Sequence, residues 1–244
     1  MKLLEVTGIT KRFGSLTALD NAHIEVGENE IVGLIGPNGS GKSTLLHSIC
    51  GRTMANSGSV KLNGKELDEA NPMARAKSGM AIKFQLARIY VEKTVRENIM
   101  ISLQSKDGIW SLVRSATAKK FAPRVEELIS EFQLSDYEDI QAKFLSHGQQ
   151  QWLEIAMAMA SSPSILLLDE PTAGMSPKER TDTAKLIKSA SRQCGVLIVE
   201  HDLDFIKDLC DRITVLHHGT VIASGTPTEI ENDPKVREVY LTRV

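Results

Sequence analysis

Gly36-Pro37-Asn38-Gly39-Ser40-Gly41-Lys42-Ser43 carries the densest chemistry in the chain. It reads G-x-x-x-x-G-K-S, a phosphate-binding loop pattern. Glycines let backbone N–H groups close around phosphate oxygens, and a helix that starts at the end of the loop adds positive partial charge. Lys42 can reach the outer phosphates, and the Ser43 hydroxyl, with Thr44 behind it, can ligate Mg²⁺. The pattern needs a strand before it and a helix after it. Glu30 to Ile35 is a short apolar run, as a buried strand would be, and Thr44 to Cys50 is apolar at helical spacing and stops at Gly51.

A second group of residues suits the same chemistry. Ile165 to Leu168 is apolar and leads into Asp169-Glu170, so two acids emerge at the C-terminal end of a strand, where open α/β sheets bind ligands. Asp169 would hold Mg²⁺ together with Ser43, through water, because Mg²⁺ keeps several waters. Glu170 would orient and polarise the water that attacks a γ-phosphate.

Leu145-Ser146-His147-Gly148-Gln149 has the spacing of a capping box, Ser146 with Gln149, ahead of a helix carrying Trp152, Ile155, Ala156 and Met159 on one face. The plain account is a well-capped core helix. The functional one is that the helix N-terminus, with Ser146 and the Gly148 N–H, receives the γ-phosphate of a nucleotide held by another subunit. On their own, His201 after the strand Gly195 to Val199, and Gln85 after Met80 to Phe84, could simply close their strands.

These residues need a scaffold, and the remaining sequence indicates which. Leu3 to Val6 and Ala22 to Val26 read as short strands, with Lys11 to Gly14 as a turn that carries Phe13. Gly58 to Gly64 is a strand closed by Asn-Gly, a hairpin signal. Together they make a small antiparallel sheet. From Thr94 to Ala160 the texture is helical, with Thr94 and Glu97 at capping-box spacing, Ser105 to Ser115 as a loop or insertion, and a helix over Ala118 to Phe132. After Asp169-Glu170, Ser176-Pro177-Lys178-Glu179 opens a helix, Leu203 to Cys210 is another, and Arg212 to Leu216 is a strand that turns through His217 to Thr220 into the next. Apolar strands alternating with helices imply a parallel sheet covered on both faces. The expected fold is α/β: a P-loop NTPase (RecA-like) mixed sheet core with an N-terminal antiparallel β part and an inserted α-helical subdomain. One domain fills residues 1–244, with 1–85 and 161–244 as core and 86–160 as the helical subdomain.

Bulk properties narrow the function. A net charge of −2 gives no reason to expect a nucleic-acid partner. Three scattered cysteines in no metal spacing suit reduced thiols. The N-terminus lacks the apolar core of a signal peptide, and no stretch approaches the roughly 18 apolar residues of a membrane span. If the protein works at a membrane, another chain anchors it.

In order along the chain, these motifs resemble the ATP-binding-cassette (ABC) ATPases. Gly36 to Ser43 matches that family's Walker A, Gln85 its Q-loop glutamine, Leu145 to Gln149 its signature, Ile165 to Glu170 its Walker B, and His201 its switch histidine. Ala173 to Ser176 lies where the D-loop lies, and Phe13 takes the place of the adenine-stacking aromatic. The resemblance implies ATP and Mg²⁺ as ligands, with Ser43, Gln85 and Asp169 toward the metal, and Lys42, Gln85, Glu170 and His201 in catalysis. It also implies a second ATPase subunit packed head to tail, as homo- or heterodimer, with each nucleotide between one Walker A and the opposite Ser146, Gly148 and Gln149. Two transmembrane permease subunits and, indirectly, a solute-binding protein complete the expected assembly, at the cytoplasmic face of the membrane. His147 departs from the commonest signature, which has a second glycine there. Trp152 to Ala156, Glu170 to Met175, Val199 to Asp202 and the tail Gly225 to Leu241 are similar to the ATPases of importers for branched-chain amino acids, amides and urea, and the insertion near Lys106 to Ser115 resembles the longer of the two such ATPases. Lipopolysaccharide-exporter ATPases share parts of the tail. A soluble ABC protein fits less well, because tandem ATPase domains, long coiled-coil insertions and basic arms are missing from the sequence, and the signature segment argues against a P-loop kinase, which needs an acceptor site and usually an Arg-rich lid instead.

Overall fold

The computed structural model describes residues 2–67, 71–83, 89–104 and 116–241. In chain order the elements are β1 (Lys2–Phe13), β2 (Leu16–Gly27), β3 (Ile31–Ile35), α1 (Lys42–Ile49), β4 (Ser57–Leu62), β5 (Lys65–Glu66), α2 (Pro72–Lys77), β6 (Met80–Lys83), α3 (Val95–Gln104), α4 (Ala116–Glu131), α5 (His147–Met159), β7 (Ile165–Asp169), α6 (Pro177–Ala190), β8 (Gly195–Val199), α7 (Leu203–Leu209), β9 (Arg212–His217), β10 (Thr220–Gly225), α8 (Pro227–Asn232) and α9 (Pro234–Leu241). They form two compact units, one of Met1–Ile82, Ser164–Glu170 and Ser191–Val244, the other of Lys83–Pro163 and Pro171–Ala190.

The first unit is built on a six-stranded sheet ordered β10-β9-β3-β8-β7-β6. Strands β9, β3, β8 and β7 run parallel, and β10 returns antiparallel to β9. Every residue of β3, β7 and β8 is buried, which is why these strands read as unbroken apolar runs rather than alternating ones. Leu34 and Asp169 both stand opposite Val199, so β3, β7 and β8 end level. The loop after β3, Glu170 after β7 and Glu200-His201 after β8 therefore leave the sheet at one edge. The Glu200 N–H donates to Leu34 O (3.2 Å) and the Glu170 N–H to Val199 O (2.9 Å), continuing the ladder one step past the strands. At the opposite end Arg212 holds Glu30 through Nε at 2.9 Å and Nη2 at 3.1 Å, joining β9 to the residue before β3.

The second sheet of this unit is antiparallel, ordered β2-β1-β4-β5. Its β4–β5 hairpin turns at Asn63 and Gly64, both with positive φ (52° and 73°), the geometry the Asn-Gly pair predicts. The predicted strand Leu3 to Val6 is instead the buried start of a 12-residue strand. Gly8, at φ 66°, sits in a register shift between Val6 and Ile9. A bulge there breaks the two-residue alternation, so the outer half of β1 looks like loop in sequence. Lys11 to Phe13 accordingly belongs to β1, and the turn is confined to the residues after it.

The second unit is helical. Val125 and Leu128 of α4, Phe132 just after it, and Trp152, Ile155, Ala156 and Met159 of α5 form its core. The Trp152 indole N–H donates to Thr183 Oγ1 of α6 at 2.8 Å, so the large ring is buried with its one donor satisfied. α3 begins with the reciprocal cap foreseen from Thr94 and Glu97: the Glu97 N–H donates to Thr94 Oγ1 (3.1 Å) and the Thr94 N–H to Glu97 Oε2 (2.9 Å). The predicted loop Ser105 to Ser115 lies outside the described residues, as do Phe84 and Gln85. Among the described residues no helix is long and apolar enough to cross a membrane.

Candidate functional site

In the first unit a cleft of about 490 Å³ opens over the start of α1, lined by Phe13, Asn38 to Thr44, Glu170, His218 and Gly219 among others. The loop folds over itself, with the Ser40 N–H donating to Pro37 O (3.1 Å). A Cβ on Gly36 would stand 2.1 Å from Leu216 O, and one on Gly41 would stand 2.6 Å from Ala18 O. Gly41 also has φ 103°, so at both positions glycine is required by space or by backbone. Gly41 is the N-cap of α1; no side chain caps this end, and its first turn carries no acid. Its N–H groups and positive partial charge face the cleft, as an anion site requires.

The Lys42 side chain is buried, and its ammonium donates to Gly36 O (2.8 Å) and Pro37 O (3.0 Å). It is thus curled under the loop whose phosphate it would meet. Among the described residues the buried Ser40 Oγ has no hydrogen-bond partner, a polar atom whose desolvation is uncompensated. Phe13 is 51% exposed at the mouth of the cleft, an aromatic face offered to solvent at the end of β1.

Asp169 is buried at the end of β7. Glu170 follows with φ 44°, a left-handed backbone that a bulky L-residue adopts only at a cost. Glu170 lines the cleft. His201 Nδ1 lies 3.9 Å from Glu170 Oε1 and 3.6 Å from Glu200 Oε2, on a half-exposed ring. The imidazole is therefore beside both carboxylates without a short bond to either. Asp202, next in the chain, accepts from the Phe205 N–H (3.0 Å) and caps α7.

The turn His218-Gly219 was not foreseen as part of the site. The Gly219 N–H donates to Ser40 O, and Gly219 O accepts from Asp20 N–H, both at 2.9 Å. The signal was only local: a residue followed by glycine between two strands, both adopting positive φ (46° and 80°), as a tight hairpin demands. Nothing local says that this hairpin closes on the phosphate loop.

In the second unit Ser146 caps α5. Its Oγ accepts from the Gln149 N–H (3.2 Å), and Gln149 Oε1 accepts from the Ser146 N–H (2.8 Å), which completes the predicted capping box. His147 Nε2 is 3.0 Å from Ala173 O, so Nε2 carries a proton and ties the helix start to the segment before α6. Glu179 of α6 is the unexpected neighbour. Its Oε2 accepts from the Ser176 N–H (2.9 Å) and hydroxyl (2.8 Å), while Oε1 accepts from Ser146 Oγ at 3.3 Å. A Cβ on Gly148 would stand 2.5 Å from Oε1, so the carboxylate lies against that turn. These donors, the Ser176 N–H first, hold the Glu179 carboxyl below the usual carboxylate range. The sequence marked Glu179 only as the third helical residue of α6.

Residues 19–173 match the family described as ABC transporter, and residues 220–241 the one described as branched-chain amino acid ATP-binding cassette transporter. The high-affinity branched-chain amino acid transport ATP-binding protein LivG of Salmonella typhimurium is 37% identical over 248 residues, covering 98% of this chain and 97% of that protein. The lipopolysaccharide export system ATP-binding protein LptB of Haemophilus influenzae is 34% identical over 242 residues, covering 99% of this chain and 98% of its own length. Among solved structures, the ADP conformation of MJ1267, an ATP-binding cassette of an ABC transporter, is similar with a TM-score of 0.85 at 30% identity, covering 99% of both chains.

Proposed function

The chain belongs to the ABC transporter family as an ATP-binding, ATP-hydrolysing subunit, and from that premise we propose that it powers import of branched-chain amino acids or related amides, urea included. The likeness to LivG over nearly the full length and the match of residues 220–241 support that branch. The lipopolysaccharide exporters are similar over the same length at lower identity and support export less.

The observation that carries the catalytic reading is the level ending of β3, β7 and β8, which puts the loop of residues 36–43 and Glu170 around one cleft. Phe13 stacks on adenine, and Lys42 exchanges loop carbonyls for phosphate oxygens. Ser40 Oγ gains there the partner it lacks. Mg²⁺ fits the donors present. Among the described residues no group of three or more His, Cys, Asp or Glu could cage a metal, whereas Ser43 and Asp169 supply one hydroxyl and one carboxylate. Mg²⁺ takes few protein ligands and fills the rest with water and phosphate oxygens, so Ser43, Asp169 and Gln85 would hold it. Bound there, it would neutralise charge on the outer phosphates. Glu170 orients and polarises the attacking water, and His201, beside it, steadies the γ-phosphate end.

The start of α5, with Ser146, Gly148 and Gln149, receives the γ-phosphate held by a second ATPase subunit packed head to tail, a second copy or a related chain. ATP-binding subunits of this family work with membrane permease components. In this chain the helical unit exposes Tyr90, Val91, Ile140 and Phe144. They sit on neighbouring segments, since the Lys143 N–H donates to Val91 O (3.0 Å) and the Val95 N–H to Ile140 O (3.1 Å). An exposed apolar group of this kind suits a permease helix. The ATPase then works peripherally at the cytoplasmic face, with two permease subunits and, through them, a solute-binding protein.

Glu170→Gln tests the reading. Glutamine keeps the shape and cannot take a proton. Hydrolysis should fall about 10²–10⁴-fold while Mg-ATP binding survives. Less charge beside the γ-phosphate should also give stable dimers with ATP and none with ADP, and adding Ser146→Arg should abolish them. Light scattering after size exclusion reads the mass. Wild-type hydrolysis in Glu170→Gln would remove Glu170 from its role.

A further inference from the structure

One carboxylate in the helical unit serves two helix starts. Glu179 Oε2 completes the cap of α6 through Ser176, and that half of the contact is ordinary. Oε1 has no part in that cap. It lies against the start of α5, accepting from Ser146 Oγ and packed on Gly148. Its position is close: a Cβ on Gly148 would stand 2.5 Å from Oε1, so only glycine admits the contact. His147 pins the same turn to Ala173 O. An anion with oxygens on Ser146 Oγ and the Gly148 N–H is what the reading above assigns to the γ-phosphate of a facing subunit. Both oxygens cannot take Ser146 Oγ and the space beside Gly148 at once.

We propose that Glu179 is a built-in occupant of the phosphate-receiving end of α5, which the γ-phosphate of the partner-held ATP must displace before the dimer closes. The proposal rests on the assignment of Ser146 and Gly148 to that phosphate. Physically, the carboxylate places negative charge at a helix start, where it is favoured, and its bond to Ser146 keeps the turn in shape while no partner is present. It also sets a threshold. Only chains whose Glu179 has let go can bind, so the apparent affinity of the closing step is reduced by that fraction. ADP brings no γ-phosphate to compete for the donors. Glu179 acts through Ser146 and Gly148 and is a positioning residue.

Glu179→Gln separates the two halves of the contact, because glutamine at the third helical position also completes a capping box. The variant should keep its melting temperature within a few degrees. In the Glu170→Gln background, adding Glu179→Gln should lower the ATP concentration for half-maximal dimer by about tenfold, as expected when a charged competitor becomes neutral. An unchanged or higher midpoint, with the parent dimerising normally, overturns the proposal and leaves the sandwich intact. If Glu170→Gln stays monomeric with ATP bound, the sandwich fails for this chain alone, and the Gly148 amide resonance of the full chain decides. Inorganic phosphate should then shift it in Glu179→Gln and not in the parent; a shift in neither, or equally in both, overturns the proposal.

Discussion

The starts of α1 and α5 are both helix N-termini assigned to phosphate, and they are built in opposite ways. α1 begins at Gly41 with no side-chain cap and no acid in its first turn. α5 begins with a full capping box and a carboxylate from another helix on top of it. The difference matches their tasks. The start of α1 holds a nucleotide within one chain, and any internal anion there would compete with the ligand throughout the cycle. The start of α5 is assigned to phosphate only in the assembled dimer, and in the separated chain Glu179 stands in that place. An open end gives affinity, and an occupied end makes binding conditional on a partner.

Removing the cation from the open end should have the largest effect. Lys42→Ala deletes a charge-assisted contact to phosphate oxygens worth ~1.5–3 kcal/mol and should abolish hydrolysis while weakening ATP binding about 10- to 150-fold. A fluorescence titration with unchanged ATP affinity would break the comparison, since the open end would then owe nothing to its lysine. Phe13→Ala sharpens it by dividing base from phosphate. Stacking on an aromatic is worth roughly 1–3 kcal/mol per base, so ATP should bind more weakly and inorganic triphosphate equally well. Equal losses for both ligands would count against stacking.

The smallest expected effect concerns acid. Glu179 is held below the usual carboxylate range, first by the Ser176 N–H, then by the Ser176 hydroxyl, with Ser146 and Gly148 contributing. A carboxylate with a depressed folded pKa contributes stability that is complete above its unfolded value, about 4.3, and is lost as pH falls through the lower folded value. The occupied end should therefore weaken on acidification below about pH 4.3. The start of α1 has no acid in its first turn to protonate. Thermal melts across that range should show a shallower acid loss for Glu179→Gln than for wild type. Parallel curves would mean that the carboxylate is not held as described.

The two ends also differ in how far the sequence disclosed them. Gly36 to Ser43 between an apolar strand and a helix was readable because each part acts over a few residues: glycine at a strained φ, an unbranched lysine, a helix dipole. The capping boxes at Thr94, Ser146 and Ser176 were readable for the same reason, as hydrogen bonds between residues three apart. β1 was half readable, since the bulge at Gly8 shifts its alternation and hides the outer part.

The sequence by itself determined the local chemistry: which turn can cradle phosphate, which strand ends in acids, which helices are capped. Tertiary structure decided which of these meet. The register of Leu34 and Asp169 against Val199 levels three strand ends. The β9–β10 hairpin lays Gly219 on Ser40, and the packing of α5 against α6, fastened by Trp152 and Thr183, brings Glu179 to Gly148. Those contacts join residues 30 to 179 positions apart in the chain. No periodicity encodes such pairs. They follow from how buried faces fit, and that is settled only when the whole chain is folded.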